Sequence, residues 1–350
     1  MKKLIFVLLL SSCGIFDMPD HAGDQSKITR NMTPVGFSEL PGWRNDDQRY
    51  ALQAFRNTCR AKSIQYAGRV VPDEQLVREK CRFLPGSSAD TLTVRKWFEQ
   101  HFKPYKVSDD ATKGGKFTGY ATLIIPACRQ KSTECSAPVL GVPKDGREFK
   151  GVHSQRIIND RIGEILYWTD PIDLQVAQIN GAAKLALDDG TEIRLSVATT
   201  NEMQFTGIGA QLVERGIRPP DGYGMHSVRE YLKKNRALAA ELISNNARYV
   251  YYAESAADEV TGNMGVPLTK IRSVAIDKNI YTLGMPTYVA TTLTNGKSFQ
   301  KLMVAQDTGS AIIGYNRGDI YFGEGDEAFE YAQGQNAPGQ MYILLPKEYR

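Results

Sequence analysis

The chain has 350 residues, of which 42% are hydrophobic and 23% are charged, a composition typical of a soluble globular protein with one or two domains. Its 43 lysines and arginines oppose 39 acidic residues, and no basic stripe with interleaved aromatic residues occurs, so the sequence argues against a nucleic-acid partner. Beyond the first dozen residues no apolar run is long enough to cross a bilayer.

The N-terminus resembles a bacterial lipoprotein signal. Two lysines at positions 2–3 precede a short apolar segment over residues 4–10, and Ser11-Ser12-Cys13 then completes a lipobox whose cysteine would receive diacylglycerol. An ordinary signal peptide with an incidental cysteine is the alternative. Because glycine and not aspartate follows Cys13, we expect lipid anchoring at the periplasmic face of the outer membrane.

Four cysteines remain after Cys13, and this even number is typical of an oxidising compartment in which disulfide bonds form. The sequence leaves their connectivity open, although the pairs Cys59–Cys81 and Cys128–Cys135 would each close a short local loop. Zinc is the alternative use of such residues, but no histidine is suitably spaced and no pair has C-x-x-C spacing. We therefore predict no metal and no cofactor.

The first hundred residues divide into a tether and a helical block. Residues 14–42 are polar and contain scattered glycine, proline and serine, which predicts a tether. From residue 45 to 102 apolar residues recur at helical spacing in three stripes. Ser87 and Ser88 are candidate caps for the third helix, and Pro104 ends it.

After Gly114-Gly115 the pattern changes to that of short strands, which we predict over residues 117–125, 172–179, 185–187 and 193–198. Helices at 207–215 and 227–243 interrupt them, and strand character resumes at 249 and continues almost to the end. Asp189-Gly190 and Asn295-Gly296 predict hairpin turns. The predicted fold class is α+β, mainly β, and the short, evenly spaced strands favour a barrel.

Three aspartates lie at predicted strand ends in the C-terminal part of the chain. Asp277 closes the phrase Arg-Ser-Val-Ala-Ile-Asp, Asp307 precedes Thr-Gly, and Asp319 lies in Arg-Gly-Asp-Ile-Tyr-Phe-Gly. Each aspartate alone has a structural explanation. Asp277 could cap a loop, Asp307 could be a turn residue that bonds its own backbone, and Asp319 could start an exposed strand. Because the strand ends of one barrel converge on one rim, the three together indicate a cluster of carboxylates.

A cluster of carboxylates suits the cleavage of a glycosidic bond. One carboxylic acid must donate a proton to the leaving oxygen, while another group supports positive charge on the sugar. The donor needs a raised pKa to work near neutral pH, and burial beside a second carboxylate raises it.

These phrases resemble the "three aspartates" (3D) domain of the lytic murein transglycosylase A (MltA) family. The resemblance extends over about residues 115–346 and includes, in the family's order, Phe-Thr-Gly-Tyr at 117–120, Tyr-Trp-Thr-Asp-Pro at 167–171 and Ile-Leu-Leu-Pro at 343–346. It implies a double-psi β-barrel formed by both chain ends, residues 43–121 and 254–350. A smaller β-rich domain, residues 122–253, would be inserted between them, with a glycan-binding groove between the domains.

The resemblance also implies a reaction that uses no water. The muramyl C6 hydroxyl attacks its own C1, which cleaves the β-1,4 bond between N-acetylmuramic acid and N-acetylglucosamine and leaves a 1,6-anhydro end. Asp319 would act first as acid and then as base, Asp307 as the neighbouring carboxylate and Asp277 as a supporting residue. The substrate contacts would come from Thr118, Gly119, Tyr120, Gln178, Gly309 and Arg272. The implied partners are peptidoglycan glycan strands, the membrane through the lipid anchor, and a complex of cell-wall enzymes.

Some phrases depart from the family pattern. Ser310 and Ile313 stand where the family has glycines and a lysine, residues 180–184 read Asn-Gly-Ala-Ala-Lys in place of Gln-Gly-Ser-Gly-Arg, and residues 121–123 read Ala-Thr-Leu. The last two changes fall on the inserted domain and the groove that the resemblance implies, and they leave the aspartates unchanged.

Two other functions stay open. With Asp307 activating water, the protein would be an inverting glycoside hydrolase that releases reducing ends. If the barrel binds glycan but does not cleave it, the protein would be a non-catalytic wall-binding lipoprotein.

The four histidines have no serine or cysteine in a nucleophile context, which argues against a catalytic triad. Tyr167, Trp168 and Tyr223 are candidates for stacking on sugars, with core packing as the alternative role.

Overall fold

The computed structural model describes residues 31–62, 74–108, 114–181, 183–220, 222–255, 260–309 and 311–348. The predicted lipidation site at Cys13 and most of the predicted tether lie outside these residues, as does Ser310.

The strands of the described chain are short and lie at both ends and in the middle of the sequence. They are β1 (Met32–Pro34), β2 (Phe102–Val107), β3 (Lys116–Thr122), β4 (Ile124–Cys128), β5 (Ala137–Gly141), β6 (Glu164–Thr169), β7 (Ala183–Leu187), β8 (Glu192–Thr200), β9 (Val250–Glu254), β10 (Ser273–Ile276), β11 (Pro286–Thr292), β12 (Ser298–Thr308), β13 (Arg317–Glu324), β14 (Asn336–Ala337) and β15 (Gly339–Pro346).

The α-helices fall into an N-terminal group, a central group and one C-terminal helix. They are α1 (Gln48–Arg60), α2 (Glu74–Lys80), α3 (Thr91–His101), α4 (Ser154–Asp160), α5 (Pro171–Asn180), α6 (Ile208–Glu214), α7 (Met225–Lys234), α8 (Arg236–Ser244) and α9 (Gly325–Gly334). Short 3₁₀ turns at Phe37–Glu39, Trp43–Asn45 and Cys81–Phe83 accompany the N-terminal group.

The first sheet joins strands from both ends of the chain in the order β1-β2-β15-β11-β12-β10-β13-β3-β14. Most neighbours are antiparallel, but β10 runs parallel to β12 and β13 runs parallel to β3. The predicted hairpin at Asn295-Gly296 is confirmed, since it joins the antiparallel pair β11 and β12 and Gly296 takes the positive φ of 78° that such a turn requires.

The second sheet is formed by the middle of the chain, in the order β5-β6-β4-β7-β8-β9. Its first strand, β4, follows β3 of the first sheet after the single residue Leu123, which is buried. The predicted turn at Asp189-Gly190 joins β7 to β8. The chain leaves this sheet at Glu254 and returns to the first sheet at β10.

Residues 172–179, predicted to be a strand, form helix α5. The apolar residues Ile172, Leu174 and Val176 alternate as in a strand, but the helix is buried on almost every side and therefore shows no helical period. The informative signal was Asp170-Pro171. Asp170 caps the helix by accepting from the amide of Ile172 at 2.8 Å, and proline stands at the first helical position.

The expectation of strands almost to the end of the chain was also wrong at α9. This helix packs on β3 and β13 through Ala328, Phe329 and Ala332, which are buried. Their spacing of one, three and four residues is that of one helix face. The helix thus covers one side of the strands that carry the candidate site.

The predicted helical block near the N-terminus is confirmed as α1, α2 and α3. Phe55 of α1 is fully buried, with its ring centroid 5.8 Å from that of Trp97 and 6.0 Å from that of Phe102. The third helix is capped by Asp90, which accepts from the amide of Thr93 at 2.7 Å, and not by the predicted serines. Disulfide bonds join Cys59 to Cys81 and Cys128 to Cys135.

A buried ion pair attaches this helical block to the first sheet. Both terminal nitrogens of Arg272 donate to the carboxylate of Asp46 at 2.8 Å, and the side chains are 4% and 0% exposed. Asp46 also accepts from the amide of Leu302 on β12 at 2.8 Å, and Arg272 donates to the carbonyl of the same residue. The pair therefore fixes the start of α1 against the sheet.

Arg272→Met should lower the free energy of unfolding by about 3–5 kcal/mol, because it leaves the carboxylate of Asp46 buried without its main partner. Chemical denaturation measured by circular dichroism would test this. Arg156→Met is the matched control, since the pair of Arg156 with Asp160 is exposed at the surface. Equal unfolding midpoints for the two variants would contradict a structural role for Arg272.

Candidate active site

The candidate site is a cavity of about 490 Å³ between the two sheets. Gly119, Tyr120, Asp307, Gly309 and Asp319 line it from the first sheet and its loops. The middle of the chain contributes the opposite wall, which includes Gln178, Val197, Phe205 and Arg248. A space of this size between two walls suits part of an extended, polar ligand.

The parallel pairing of β13 with β3 places Asp319 directly beside Thr118. The hydroxyl of Thr118 donates to Oδ1 of Asp319 at 2.5 Å and accepts from Nη2 of Arg317 at 2.7 Å. A hydroxyl has one proton and arginine has only donors, so Arg317 directs the proton of Thr118 towards Asp319.

Asp307, at the end of β12, is bound by several donors. Its Oδ1 accepts from the backbone amide and from Nδ2 of Asn263, both at 2.9 Å, and from the amide of Thr308 at 2.9 Å. Its Oδ2 accepts from the hydroxyl of Tyr120 at 2.8 Å. Such donors stabilise the ionised form of a carboxyl group.

The surroundings of Asp319 and Asp307 affect the pKa values of the two carboxyl groups differently. Burial raises the pKa of Asp319, and the nearby Asp307 adds to that rise, while the hydrogen bond from Thr118 and the charge of Arg317 oppose it. Burial also raises the pKa of Asp307, against the hydrogen bonds from Asn263, Tyr120 and Thr308. Because Asp307 has four donors and Asp319 has one, the arrangement favours a proton on Asp319 beside an ionised Asp307.

Tyr120 stays protonated across the range in which the aspartates titrate. Burial and the charges of Asp307 and Asp319 raise its pKa well above the ordinary value. Its ring lies 5.2 Å from that of Tyr321. The tyrosine is therefore a fixed donor to Asp307.

Asp277 and Arg272, two of the predicted site residues, do not line this cavity. The carboxylate of Asp277 is buried and accepts from the amides of Asn279 and Gly314, both at 2.9 Å. It thus holds the chain that carries Gly309 and Ile312, which do line the cavity. Arg272 is buried in its ion pair with Asp46.

The structure brings the predicted residues Thr118, Gly119, Gln178 and Gly309 to the site. Thr118 contacts Asp319, and the other three line the cavity. A Cβ at Gly119 would lie 2.5 Å from the ring of Phe322, so a larger residue would displace this strand. Of the aromatic candidates, Tyr167 and Trp168 are buried core residues, whereas Tyr223 is exposed.

The sequence reasoning missed several residues that matter to this geometry. Arg317 was not among the predicted site residues, although a cation two residues before a strand aspartate shares its side of the strand. Asn263 lies in an irregular loop, and Phe205 and Arg248 come from the opposite wall, so their convergence has no local sequence signal. Within the described residues no group of three or more histidine, cysteine or acidic side chains is arranged to hold a metal ion.

Comparison with known proteins assigns this architecture to a class. Residues 149–253 match the family model described as the MltA specific insert domain, and residues 272–345 match the 3D domain. The fold is that of a 3D-domain barrel with an inserted second domain. The chain belongs to the MltA family.

Two relatives and one solved structure illustrate the similarity. Membrane-bound lytic murein transglycosylase A of Vibrio cholerae is 28% identical over 222 residues, which cover 61% of this chain and 60% of that protein. The Escherichia coli K12 protein of the same name is 29% identical over 244 residues, covering 65% of each. The matched region therefore spans less than two thirds of these relatives.

The solved structure is that of a membrane-bound lytic murein transglycosylase from Agrobacterium tumefaciens. It has a TM-score of 0.80 and 26% identity, with 91% of this chain and 98% of that chain covered. The predicted fold, a double-psi β-barrel with a second β domain, is confirmed. Among the residues that the structure describes, no helix is long and apolar enough to span a membrane.

Asp319→Asn should stabilise the protein at pH 7. A carboxyl group whose folded pKa is raised costs stability as the pH rises above its unfolded value, and asparagine has no such cost. The gain should shrink towards pH 3, where both side chains are neutral. Thermal unfolding at the two pH values would measure it.

Asp189→Asn is the matched control with the opposite sign. Hydrogen bonds from Thr191 lower the pKa of this exposed aspartate, so its carboxylate favours the folded state at pH 7 and loses that effect in acid. A loss of stability at pH 7 for Asp319→Asn as well would contradict the raised pKa of Asp319.

Proposed function

We propose that this protein is a lytic transglycosylase that cleaves the bond between N-acetylmuramic acid and N-acetylglucosamine in peptidoglycan without water. The main support for this proposal is the pair of Asp319 and Asp307. Both line one cavity between the two sheets, and Asp307 accepts more hydrogen bonds than Asp319 does. The names of the family members support the same substrate.

In the proposed reaction Asp319 is the acid and then the base. Oδ1 accepts from Thr118, so the transferable proton is on Oδ2 and passes to the glycosidic oxygen as the bond to C1 breaks. The ionised Asp307 stabilises the positive charge that develops at the sugar. The muramyl C6 hydroxyl then attacks C1 and gives its proton to Asp319, which restores the acid and leaves a 1,6-anhydro ring.

The remaining site residues have supporting roles in this proposal. Tyr120 and Asn263 keep Asp307 ionised and in place. Asp277 is a positioning residue that fixes the loop forming one side of the cavity. Gly119, Gln178 and Gly309 contact the glycan strand, whereas Arg272 acts on stability alone.

Asp319→Asn should abolish the digestion of purified sacculi, with a loss of at least about 10²–10⁴-fold in rate, because proton transfer to the leaving oxygen is removed. The released muropeptides, identified by mass spectrometry, should carry 1,6-anhydro ends with the unchanged protein. Asp189→Asn, on the exposed β7–β8 turn, should retain full activity.

Three outcomes would contradict the proposal. Equal activity of Asp319→Asn and the unchanged protein would remove Asp319 as the acid. Reducing-end products would indicate an inverting hydrolase in which Asp307 activates water. Binding of sacculi by the unchanged protein without any turnover would indicate a wall-binding protein.

We further propose that the protein is anchored to the outer membrane by a lipid on Cys13 and faces the periplasm, where it works beside other cell-wall enzymes. The names of the relatives, which are called membrane-bound, and the N-terminal lipobox support this. The proposed domains are residues 43–121 with 254–350, and residues 122–253.

Cys13→Ala should move the protein from the membrane fraction to the soluble periplasmic fraction, because the acceptor of the lipid is lost. Immunoblotting of fractionated cells would show this. Ser12→Ala is the control, since it keeps a small residue before the cysteine and should leave the protein with the membrane. A Cys13→Ala protein that stays in the outer-membrane fraction would contradict lipid anchoring.

A further inference from the structure

The wall of the cavity that faces the aspartates carries two donor groups from different elements. Gln178 lies near the end of α5, and Arg248 lies just before β9. Both side chains line the 490 Å³ cavity that contains Asp307 and Asp319.

Arg248 is a cation that has no anionic partner among the residues that the structure describes. Its side chain is half-buried, and within the described residues its guanidinium forms no ion pair. Other half-buried arginines of the same region do have partners, such as Arg194 with Glu324 at 2.9 Å and Arg229 with Asp173 at 2.5 Å. Arg248 is also the one cationic residue among the described residues that line the cavity.

Gln178 carries a second donor that lacks a partner in the described chain. Its Nε2 is buried and has no hydrogen-bond acceptor in the described part of the protein. A buried donor left unpaired is costly, which points to an acceptor supplied from outside the chain. Gln178 and Arg248 also border a cavity of 20 Å³, which has room for about one water molecule. Both residues also line the larger cavity, which is the side from which a sugar substituent would approach them.

The charges of the cavity determine which ligand suits this wall. The ionised Asp307 repels an anionic group, so an anionic substrate needs a cation opposite it. N-acetylglucosamine is neutral, but N-acetylmuramic acid carries a 3-O-lactyl group, which ends in a carboxylate or, when peptide is attached, continues to the carboxylates of the peptide stem.

We propose that Arg248 and Gln178 bind a carboxylate borne by the 3-O-lactyl arm of the muramyl residue and thereby distinguish muramyl glycans from neutral chitin-type chains. Arg248 supplies the charge and Gln178 donates to a carboxylate or carbonyl oxygen. The inference rests on the proposed function, because it names the sugar substituent that the same site reads.

The test measures binding in the absence of turnover. In an Asp319→Asn background, isothermal titration calorimetry would compare Arg248→Gln with Arg248 unchanged for three tetrasaccharides of equal length. The first alternates N-acetylglucosamine and N-acetylmuramic acid with free lactyl groups, the second carries peptides on those groups, and the third is chitotetraose.

Arg248→Gln should weaken binding of a carboxylate-bearing ligand by about tenfold and leave chitotetraose binding unchanged. The loss should shrink in 0.5 M salt, about three times the physiological ionic strength, because screening weakens the ion pair. A loss confined to the free lactyl ligand assigns the carboxylate to the lactyl group, and a loss confined to the peptide-bearing ligand assigns it to the stem. Arg156→Gln, an exposed arginine of α4 outside the cavity, is the control.

Equal losses for all three ligands, or no loss for any, would overturn the inference. Matching melting temperatures of Arg248→Gln and its background would exclude unfolding as the cause. Failure of the proposed function would appear separately, as sacculi left uncut or as reducing-end products from the unchanged protein.

Discussion

The in-register parallel pairing of β13 with β3 is the constraint on which the candidate site depends. It sets Asp319 beside Thr118, and the position two residues before Asp319 brings Arg317 to the same hydroxyl. A slip of one residue would turn each of these side chains to the other side of the sheet. Gly119 lets β3 pack closely against Phe322, since a Cβ at this position would lie 2.5 Å from that ring.

The rest of the barrel maintains that pairing from both sides. On one side, β10 pairs with β13 and places Ala275 next to Asp319, a small residue that leaves room for the carboxyl group. On the other side, α9 covers β3 and β13. The ion pair of Asp46 with Arg272 then fixes the N-terminal helices against β12, the strand that carries Asp307 near its end. Packing remote from the cavity thus holds in place the strands that carry the two carboxyl groups.

The sequence was most informative where one physical effect acts locally. The turn at Asn295-Gly296 and the helical stripes of residues 45–102 depend on backbone conformation and spacing, which neighbouring residues determine. The sequence led to a wrong prediction at α5, because burial on almost every side removes the helical period. Only the cap at Asp170-Pro171 indicates a helix there.

The roles of the three aspartates illustrate what the sequence alone leaves open. Strand ends predicted their clustering, and two of them do line one cavity. Whether a carboxylate accepts from a sugar or from backbone amides depends on the loop opposite it, and for Asp277 that loop lies 37 residues away at Gly314. Arg248 is a similar case. It is a candidate ligand-binding residue because no anion of the described chain pairs with it, and only the folded structure shows this.

The chain passes from the first sheet to the second through the single residue Leu123. The segments on the two sides of this crossing form different walls of the cavity. The hydrogen-bond partners of Asp319 and Asp307 all lie outside the insert formed by β4 to β9, because Thr118 and Tyr120 precede it and Asn263 and Thr308 follow it. Everything that would read the sugar from the other wall, including Arg248, lies within that insert. A different segment in place of β4 to β9 would therefore leave the hydrogen bonds of the two aspartates unchanged, so the two walls of the cavity can vary separately.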